Sequence, residues 1–447
     1  PAPPEIYTLG RSSAASDVYK RQAGGVVNVV DTRFIEKPLE DPFIGAIALG
    51  ADTAVGNRDA AFRTHFGTGS VAFNFDYFTR STDNIEIPGF AESQILRDLE
   101  EAEGGEEEAF GVAENTNSET SGGALGVSFI GDRGFFGVSL STFDSEYGIP
   151  GGHHQHEEEA PLPGEPEEEE EIVRIDLEQT RVDVKGEYDV DGRILSGIRF
   201  RAAVNDYEHV ELEGPEVGTM FDVQGTDARV ELRHAKLGGW EGAVGLQYKR
   251  NDFDAIGDEA FVPASDTKST SVFLFDEFKL NDDWVLQCSA RYEDQSISGA
   301  ALAESYDDGA FGASIGAVWR PMTDLRVSAN LALTERHPNS TELYADGPHI
   351  AAQRYERGSV SLGNGILDKE RSTNFDLTLH GDTERVEWSI TGFVNSVDDY
   401  ILLRPTTEVI LDPEDFDDLA VFDFDQANVE FVGVEAEALV EIVDRDN

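Results

Sequence analysis

The sequence predicts an all-β fold, an antiparallel up-and-down transmembrane β-barrel, on three observations. Segments of about ten residues alternate apolar and polar side chains. The connections between them are alternately very short and long, as in membrane barrels with tight turns on one side and extended loops on the other. No apolar run approaches the roughly 18 residues of a spanning helix. The alternation is plain where Val182, Val184, Gly186, Tyr188 and Val190 interleave with Arg181, Asp183, Lys185, Glu187 and Asp189. A period of two places one set on each face of a strand.

The strands follow in order. Residues 1–22 fall outside the pattern, and the stretch from Ser12 to Gln22 reads as translated junction sequence, a non-native leader. Strands are expected at 42–51, 59–67 and 70–80, the last two joined by Gly67-Thr68-Gly69. The pair 119–130 and 134–147 turns at Asp132-Arg133-Gly134, and the pair 172–189 and 193–207 at Asp191-Gly192. Strands 224–237 and 240–250 meet at Gly238-Gly239, and 267–280 and 284–297 at Asn281-Asp282-Asp283. Then come 309–320 and 325–334, joined at 321–324, and 369–381 and 385–400, joined at Asp382-Thr383-Glu384. A sixteenth strand is read at 426–442. The short turns hold Gly, Asn, Asp and Pro, whose dihedral range a hairpin needs. The loops of the other side are expected at 52–58, 81–118, 148–171, 208–223, 251–266, 298–308, 335–368 and 401–425. Val182, Val184, Val244, Leu246, Leu286, Val386, Trp388 and Ile390 should face outward, and Asp183, Lys185, Gln247, Arg291 and Glu387 the lumen. Trp240, Trp284 and Tyr400 sit where an interfacial aromatic girdle belongs.

Composition narrows the function. The net charge is −55, from 34 basic and 89 acidic residues, so the chain repels nucleic acid. The acid crowds into loop segments such as Glu100 to Glu108 and Glu165 to Glu171. It reads as a solvated surface suited to a salty medium, or as a field that gathers cations at a pore mouth. The single Cys288 excludes a disulfide framework and reads as a small strand hydrophobe. There is no His-Glu-x-x-His, no Gly-x-Ser-x-Gly and no phosphate loop, so the chain is not read as an enzyme.

The sharpest local feature follows Tyr147-Gly148-Ile149-Pro150-Gly151-Gly152. Three of the nine histidines, His153, His154 and His156, fall within four residues and lead into Glu157, Glu158 and Glu159. Neutral imidazole with carboxylate suits Zn²⁺, Cu²⁺ or Ni²⁺. Gly-Gly before the histidines and the Pro/Glu-rich run after them predict a flexible loop that captures metal transiently rather than a preformed site. The remaining His65, His209, His234 and His380 read as strand or strand-end residues.

Four segments together carry a family resemblance. Ala23-Gly24-Gly25-Val26-Val27-Asn28-Val29-Val30-Asp31-Thr32 resembles the last strand of the plug domain of TonB-dependent outer-membrane receptors. Arg336-His337-Pro338-Asn339-Ser340-Thr341-Glu342-Leu343-Tyr344 resembles their R-x-P-x-x-x-E-L-Y segment. Leu362-Gly363-Asn364 with Leu367-Asp368-Lys369-Glu370-Arg371-Ser372-Thr373-Asn374 resembles their N-P-x-L-x-x-E-x-S-x-N segment. Asn395 with Asp398-Asp399-Tyr400-Ile401 resembles their F-x-N-x-x-x-D-Y-I strand end.

The resemblance implies that 23–41 ends a plug and that 42–447 is part of a barrel of about 22 strands. The chain would then be a fragment, with its terminal strands unpaired with each other or joined in a strained seam with few ladder hydrogen bonds. It implies active uptake of a scarce extracellular solute, driven by the TonB energy-coupling complex, by a monomer in the Gram-negative outer membrane, with no resident cofactor. The Tyr-Gly-Ile-Pro-Gly-His strand end resembles the zinc-uptake branch, as does Asp346-Gly347-Pro348-His349. That makes zinc or another divalent metal the leading solute, and adds Asp346 and His349 as candidates for a more ordered site. An iron–siderophore or haem is the alternative within the family. A passive sixteen-stranded porin is the alternative outside it, disfavoured by the plug-like segment, and a soluble acidic adhesin is disfavoured by the asymmetry of turns and loops.

Overall fold

Pairing follows from the alternation, because each strand can cover its backbone polar groups only by laddering with a neighbour while its apolar face meets lipid. The computed structural model describes residues 32–90, 94, 97, 110–154, 171–214, 216–257, 260–349, 352, 354–383, 385–410 and 419–442. The strands are β1 (Phe43–Ala51), β2 (Arg58–Thr68), β3 (Val71–Thr82), β4 (Ile85–Phe90), β5 (Phe110–Ala113), β6 (Ser118–Gly131) and β7 (Gly134–His154). Next come β8 (Glu171–Asp189), β9 (Leu195–Glu213), β10 (Glu216–His234), β11 (Trp240–Gly257), β12 (Ser265–Lys279), β13 (Trp284–Ser298), β14 (Tyr306–Met322) and β15 (Leu325–Arg336). Helix α1 (Ser340–Tyr344), β16 (Asp346–His349), β17 (Arg354–Arg357), β18 (Glu370–Asp382), β19 (Val386–Ile410) and β20 (Leu419–Val440) complete the chain.

Sixteen of these strands form one antiparallel meander, β1-β2-β3-β6-β7-β8-β9-β10-β11-β12-β13-β14-β15-β18-β19-β20, each paired with the next. The sixteen expected strands are all present. Among the described residues β1 and β20 share no ladder, so the sheet has two edges. The hairpin β16–β17 joins the same sheet through a parallel contact of β17 with β20, Arg354 opposite Ala420 to Arg357 opposite Asp423. Strands β4 and β5 make a separate small sheet in the connection between β3 and β6.

The two faces divide as alternation requires. Val182, Val244, Leu246 and Ile390 are exposed on the outer face, whereas Gln247 is 5% exposed and Asp183 is held on the inner face by Arg181 and Arg33. The inner wall pairs its cations, with Arg229 on Glu231 and Arg291 on Glu293, each at 2.6 Å. Aromatic rings ring the short-turn end. Trp284 stacks on Trp319 at 5.6 Å, Trp240 lies 4.8 Å from Phe278, and Phe66 stacks on Phe73 at 5.1 Å. Such pairs contribute about 0.5–1.5 kcal/mol each beyond their burial. Gly238, at φ 67°, supplies the left-handed residue that its tight turn requires.

The loop side differs from expectation. Residues 208–223 are not a long loop: β9 and β10 continue as paired strands and meet at a hairpin where Gly214 takes φ 56°. β7 likewise runs to His154, β11 to Gly257 and β19 to Ile410. Outside lipid nothing demands an apolar face, so Thr, Val, Tyr and Glu ladder onward with polar groups on both sides, and the apolar–polar signal fades while the backbone pairing persists.

Candidate ligand site at the outer end of the barrel

Three groups of residues stand at the long-loop end. The first is a cap built on the Arg336 segment. Asn339 caps α1 by accepting from the Glu342 amide at 2.8 Å, and the Glu342 carboxylate accepts from the Asn339 amide at 2.8 Å, a reciprocal capping box. Arg336 holds Glu370 through Nε and Nη2, both at 2.6 Å, and reaches Glu342 from Nη1 at 3.0 Å. Glu370 also accepts from the buried Ile401 amide at 2.9 Å. Burial pushes the Glu342 carboxyl above its ordinary pKa, against the pull of Arg336. Under this triad, Ile297, Tyr306, Leu343 and Tyr344 form an apolar cluster, and burial raises the Tyr344 hydroxyl to about 12. The Arg336–Tyr344 and Leu367–Asn374 segments are thus two sides of one buried ion network that fastens the cap to the wall.

The second group is the hairpin that carries Asp346 and His349. Three residues apart on a strand, they fall on opposite faces. Asp346 accepts from the Tyr355 hydroxyl at 3.2 Å. On the other face the His349 ring stacks 4.9 Å from Phe261, and its Nδ1 donates to Glu356 Oε1 at 2.9 Å. Arg354 Nη2 lies 2.7 Å from the same carboxylate oxygen. Burial of Glu356 opposes ionisation, but the bonds from His349 and Arg354 outweigh it and hold the carboxyl below its usual pKa. The structure therefore does not bring Asp346 and His349 together.

The histidine-rich stretch begins on a strand rather than in a loop. The backbones of His153 and His154 close the β7–β8 ladder opposite Ile172 and Glu171. His156, Glu157, Glu158 and Glu159 lie outside the described residues, as does the plug-like stretch up to Asp31. Among the described residues no group of three or more His, Cys, Asp and Glu side chains is placed to hold a metal ion.

The third group was hidden from the sequence. On the inner face of the extended strands, the His209 ring stacks on Phe221 at 4.4 Å and 18°. Tyr207 meets it edge-on at 5.6 Å, and Phe253 continues the row 6.4 Å from Phe221. Burial lowers the His209 pKa, which favours neutral imidazole. His209 reads from sequence as a strand-end residue. Only the hairpin at Gly214, which brings Phe221 directly opposite, reveals the platform. On the outer face of the same strands Glu178, Glu208, Asp222 and Asp254 lie in one cross-strand row. Burial, with Asp206, Asp254 and Asp252 nearby, pushes Asp222 up. Like charges set directly opposite oppose pairing, so the row is a concentrated negative field on the outer strands.

Comparison with known proteins gives a consistent result. A family model described as "TonB dependent receptor-like, beta-barrel" matches residues 59–441. The vitamin B12 transporter BtuB of Photobacterium profundum is 24% identical over 211 residues, covering 46% of this chain and 30% of that protein. Among solved structures, the copper transporter OprC superposes with a TM-score of 0.66 at 12% identity, over 91% of this chain and 59% of that one. The siderophore receptor PirA from Pseudomonas aeruginosa superposes with a TM-score of 0.65 at 14% identity, over 96% of this chain and 68% of that one. At such identities the superpositions speak to fold alone. The chain spans 59% of the length of OprC and 30% of BtuB.

Proposed function

Because this chain belongs to the TonB-dependent receptor-like β-barrel family, we propose that it is barrel wall of an active receptor that takes up a scarce extracellular solute, with zinc or another divalent metal first. Barrels of this family lie in the Gram-negative outer membrane, and the family is one of transporters and receptors rather than enzymes. The observation that carries the metal reading is the run of His153, His154 and His156 with Glu157, Glu158 and Glu159. It starts where the β7–β8 ladder ends, at the long-loop end that also carries the row of Glu178, Glu208, Asp222 and Asp254, whose negative field would attract cations. Asp346 and His349 would serve as separate contacts on the cap hairpin rather than as one site.

The remaining parts of the reading have the same standing. Residues 1–22 are a non-native leader, 23–41 the end of a plug, and 42–447 part of a larger barrel. The lack of a ladder between β1 and β20 among the described residues and the share of OprC that the chain covers support that last point, and the open sheet weighs against a closed sixteen-stranded porin. The working receptor is a monomer driven by the TonB energy-coupling complex. The test is energy-dependent accumulation of Zn²⁺, Cu²⁺ and a ferric siderophore by cells carrying the full receptor. Beside it stands a variant with His153, His154 and His156 changed to Ala. Selective loss of Zn²⁺ uptake in the variant is expected, and equal Zn²⁺ uptake by both refutes the metal reading.

A second reading, uptake of an iron–siderophore or haem, is favoured by the platform of Tyr207, His209, Phe221 and Phe253, whose faces suit a planar or aromatic ligand. Ferric-siderophore uptake that survives the histidine changes and fails on Phe221→Ala would select it.

A further inference from the structure

On the inner wall near the short-turn end, residues Thr32 to Glu36 lie across β2, β6, β7 and β8. The Thr32 hydroxyl accepts from Arg63 at 3.1 Å. Arg33 donates to the Ser141 hydroxyl at 2.9 Å and pairs with Asp183 at 3.4 Å. The Ile35 amide donates to Ser128 Oγ at 3.0 Å, and the Ile35 side chain is buried with Ala72, Ile130 and Phe135. Glu36 accepts from Lys185 Nζ at 2.6 Å.

The wall has no side chain where the segment sits closest. A Cβ at Gly126 would run into the Arg33 carbonyl oxygen, and one at Gly137 would come within 2.6 Å of the Phe34 ring. With Ala72, Ser128 and Ser139, these glycines make a groove of small residues that a peptide backbone can enter. The ion pairs then fix its register. Asp183 and Lys185 are neighbours on one face of β8, about 7 Å apart. They receive Arg33 and Glu36 in opposite charge sense, so a slip would set Glu36 against Asp183. The Arg33–Asp183 pair, with side-chain exposures of 24% and 13%, is the stronger lock, because the Lys185–Glu36 pair is exposed to solvent and screened.

We propose that Arg33–Glu36 is a fixed strap, held on this groove in one register while the chain before it is remodelled, so that opening of a path ends at Thr32. This rests on the reading of 23–41 as the end of a plug in a TonB-driven receptor. The wall would then carry the load when the plug is pulled, and the barrel's own glycines would set where motion stops.

The test uses the full-length receptor with Cys288→Ala and with any cysteine outside these 447 residues likewise replaced. Phe34→Cys and Gly137→Cys are added as a pair, since removing the ring leaves room for a Cβ at 137. The disulfide is expected to form to near completion in resting cells and equally when the inner membrane is energised and solute is present. Oxidation should leave the uptake rate within twofold. Gly126→Val, which drives a side chain into the Arg33 carbonyl, should lower the disulfide yield at least fivefold. Asp183→Asn, which removes a charge but no volume, should lower it less and guards against a Gly126→Val chain that does not fold. Uptake that stops on oxidation and returns with dithiothreitol would overturn the proposal, as would a yield unmoved by both variants. If the unoxidised parent accumulates nothing in an energy-dependent way, the receptor reading fails, while the yields still decide the strap.

Discussion

Replacing Arg336 with Met should release the outer cap while leaving the barrel intact. Arg336 makes two bonds of 2.6 Å to Glu370 and one of 3.0 Å to Glu342. The three side chains are between 10% and 18% exposed, so solvent screening takes little from the interaction. Removing one member of a buried ion pair costs about 3–5 kcal/mol, because the partner charge stays behind without compensation. At 1.4 kcal/mol per tenfold, local opening becomes about a hundred- to a few-thousand-fold more frequent. The assay is hydrogen exchange at the Ile401 amide, held by Glu370, and the Asn339 amide, held by Glu342. Amides in the centre of β12 and β13 serve as the reference that should not change. The sign with pH follows from Glu342, whose folded pKa is already raised by burial and would rise further without Arg336. A carboxyl raised on folding stabilises below its unfolded pKa, about 4.3, and loses that contribution as pH rises through the folded value. The deficit of the variant should therefore be full at neutral pH and shrink toward pH 4. Wild-type exchange at Ile401 and Asn339 in the Met variant at pH 7 would refute the triad as the fastening of the cap.

Other outcomes follow from the same geometry. Glu356, held below its usual pKa, contributes stability above its unfolded value that is lost as pH falls through the folded one; the β16–β17 hairpin should loosen in acid, and Glu356→Gln should abolish that step in an exchange profile. A peptide spanning 147–172 should bind Zn²⁺ with affinity of micromolar order that fails below about pH 6, as imidazole protonates. Calorimetric heats equal to those of its His153, His154 and His156 to Ala version would reduce the stretch to an acidic brush. Phe221→Ala should free the His209 ring and raise its pKa toward the ordinary value, read from the imidazole proton shifts; no change would mean that the stack does not bury it.

The membrane-spanning wall was legible because lipid enforces alternation: Val182, Leu246 and Ile390 face out and Gln247 faces in, as their parity requires. The tight turns were legible because Gly238 and its kind meet a dihedral demand that few residues can. The outer parts were less so. Residues 208–212 and 217–223 carry polar side chains on both faces, and only backbone pairing, which no composition records, makes them strand. Arg336 and Glu370 stand 34 positions apart, so the motifs around each were visible while their joining was not. Asp346 and His349 looked like partners because they are close in sequence, but a strand turns residues three apart to opposite sides. The His209 platform needed Phe221 from the next strand, across a connection read as a loop.

The parallel contact between β17 and β20 has a mechanical meaning. It occupies the side of β20 away from β19 from Ala420 to Asp423, and among the described residues no strand ladders with that side from Phe424 to Val440. A strand laddering along that rim would have about 55 Å of backbone to read, more than the roughly 30 Å hydrocarbon layer requires, before it meets Arg357 clasped to Asp423. The roof of the molecule therefore sets the height of its wall at this rim. A pull on the hairpin that carries Asp346 and His349 would be felt first along this edge of the sheet, through the β17–β20 ladder.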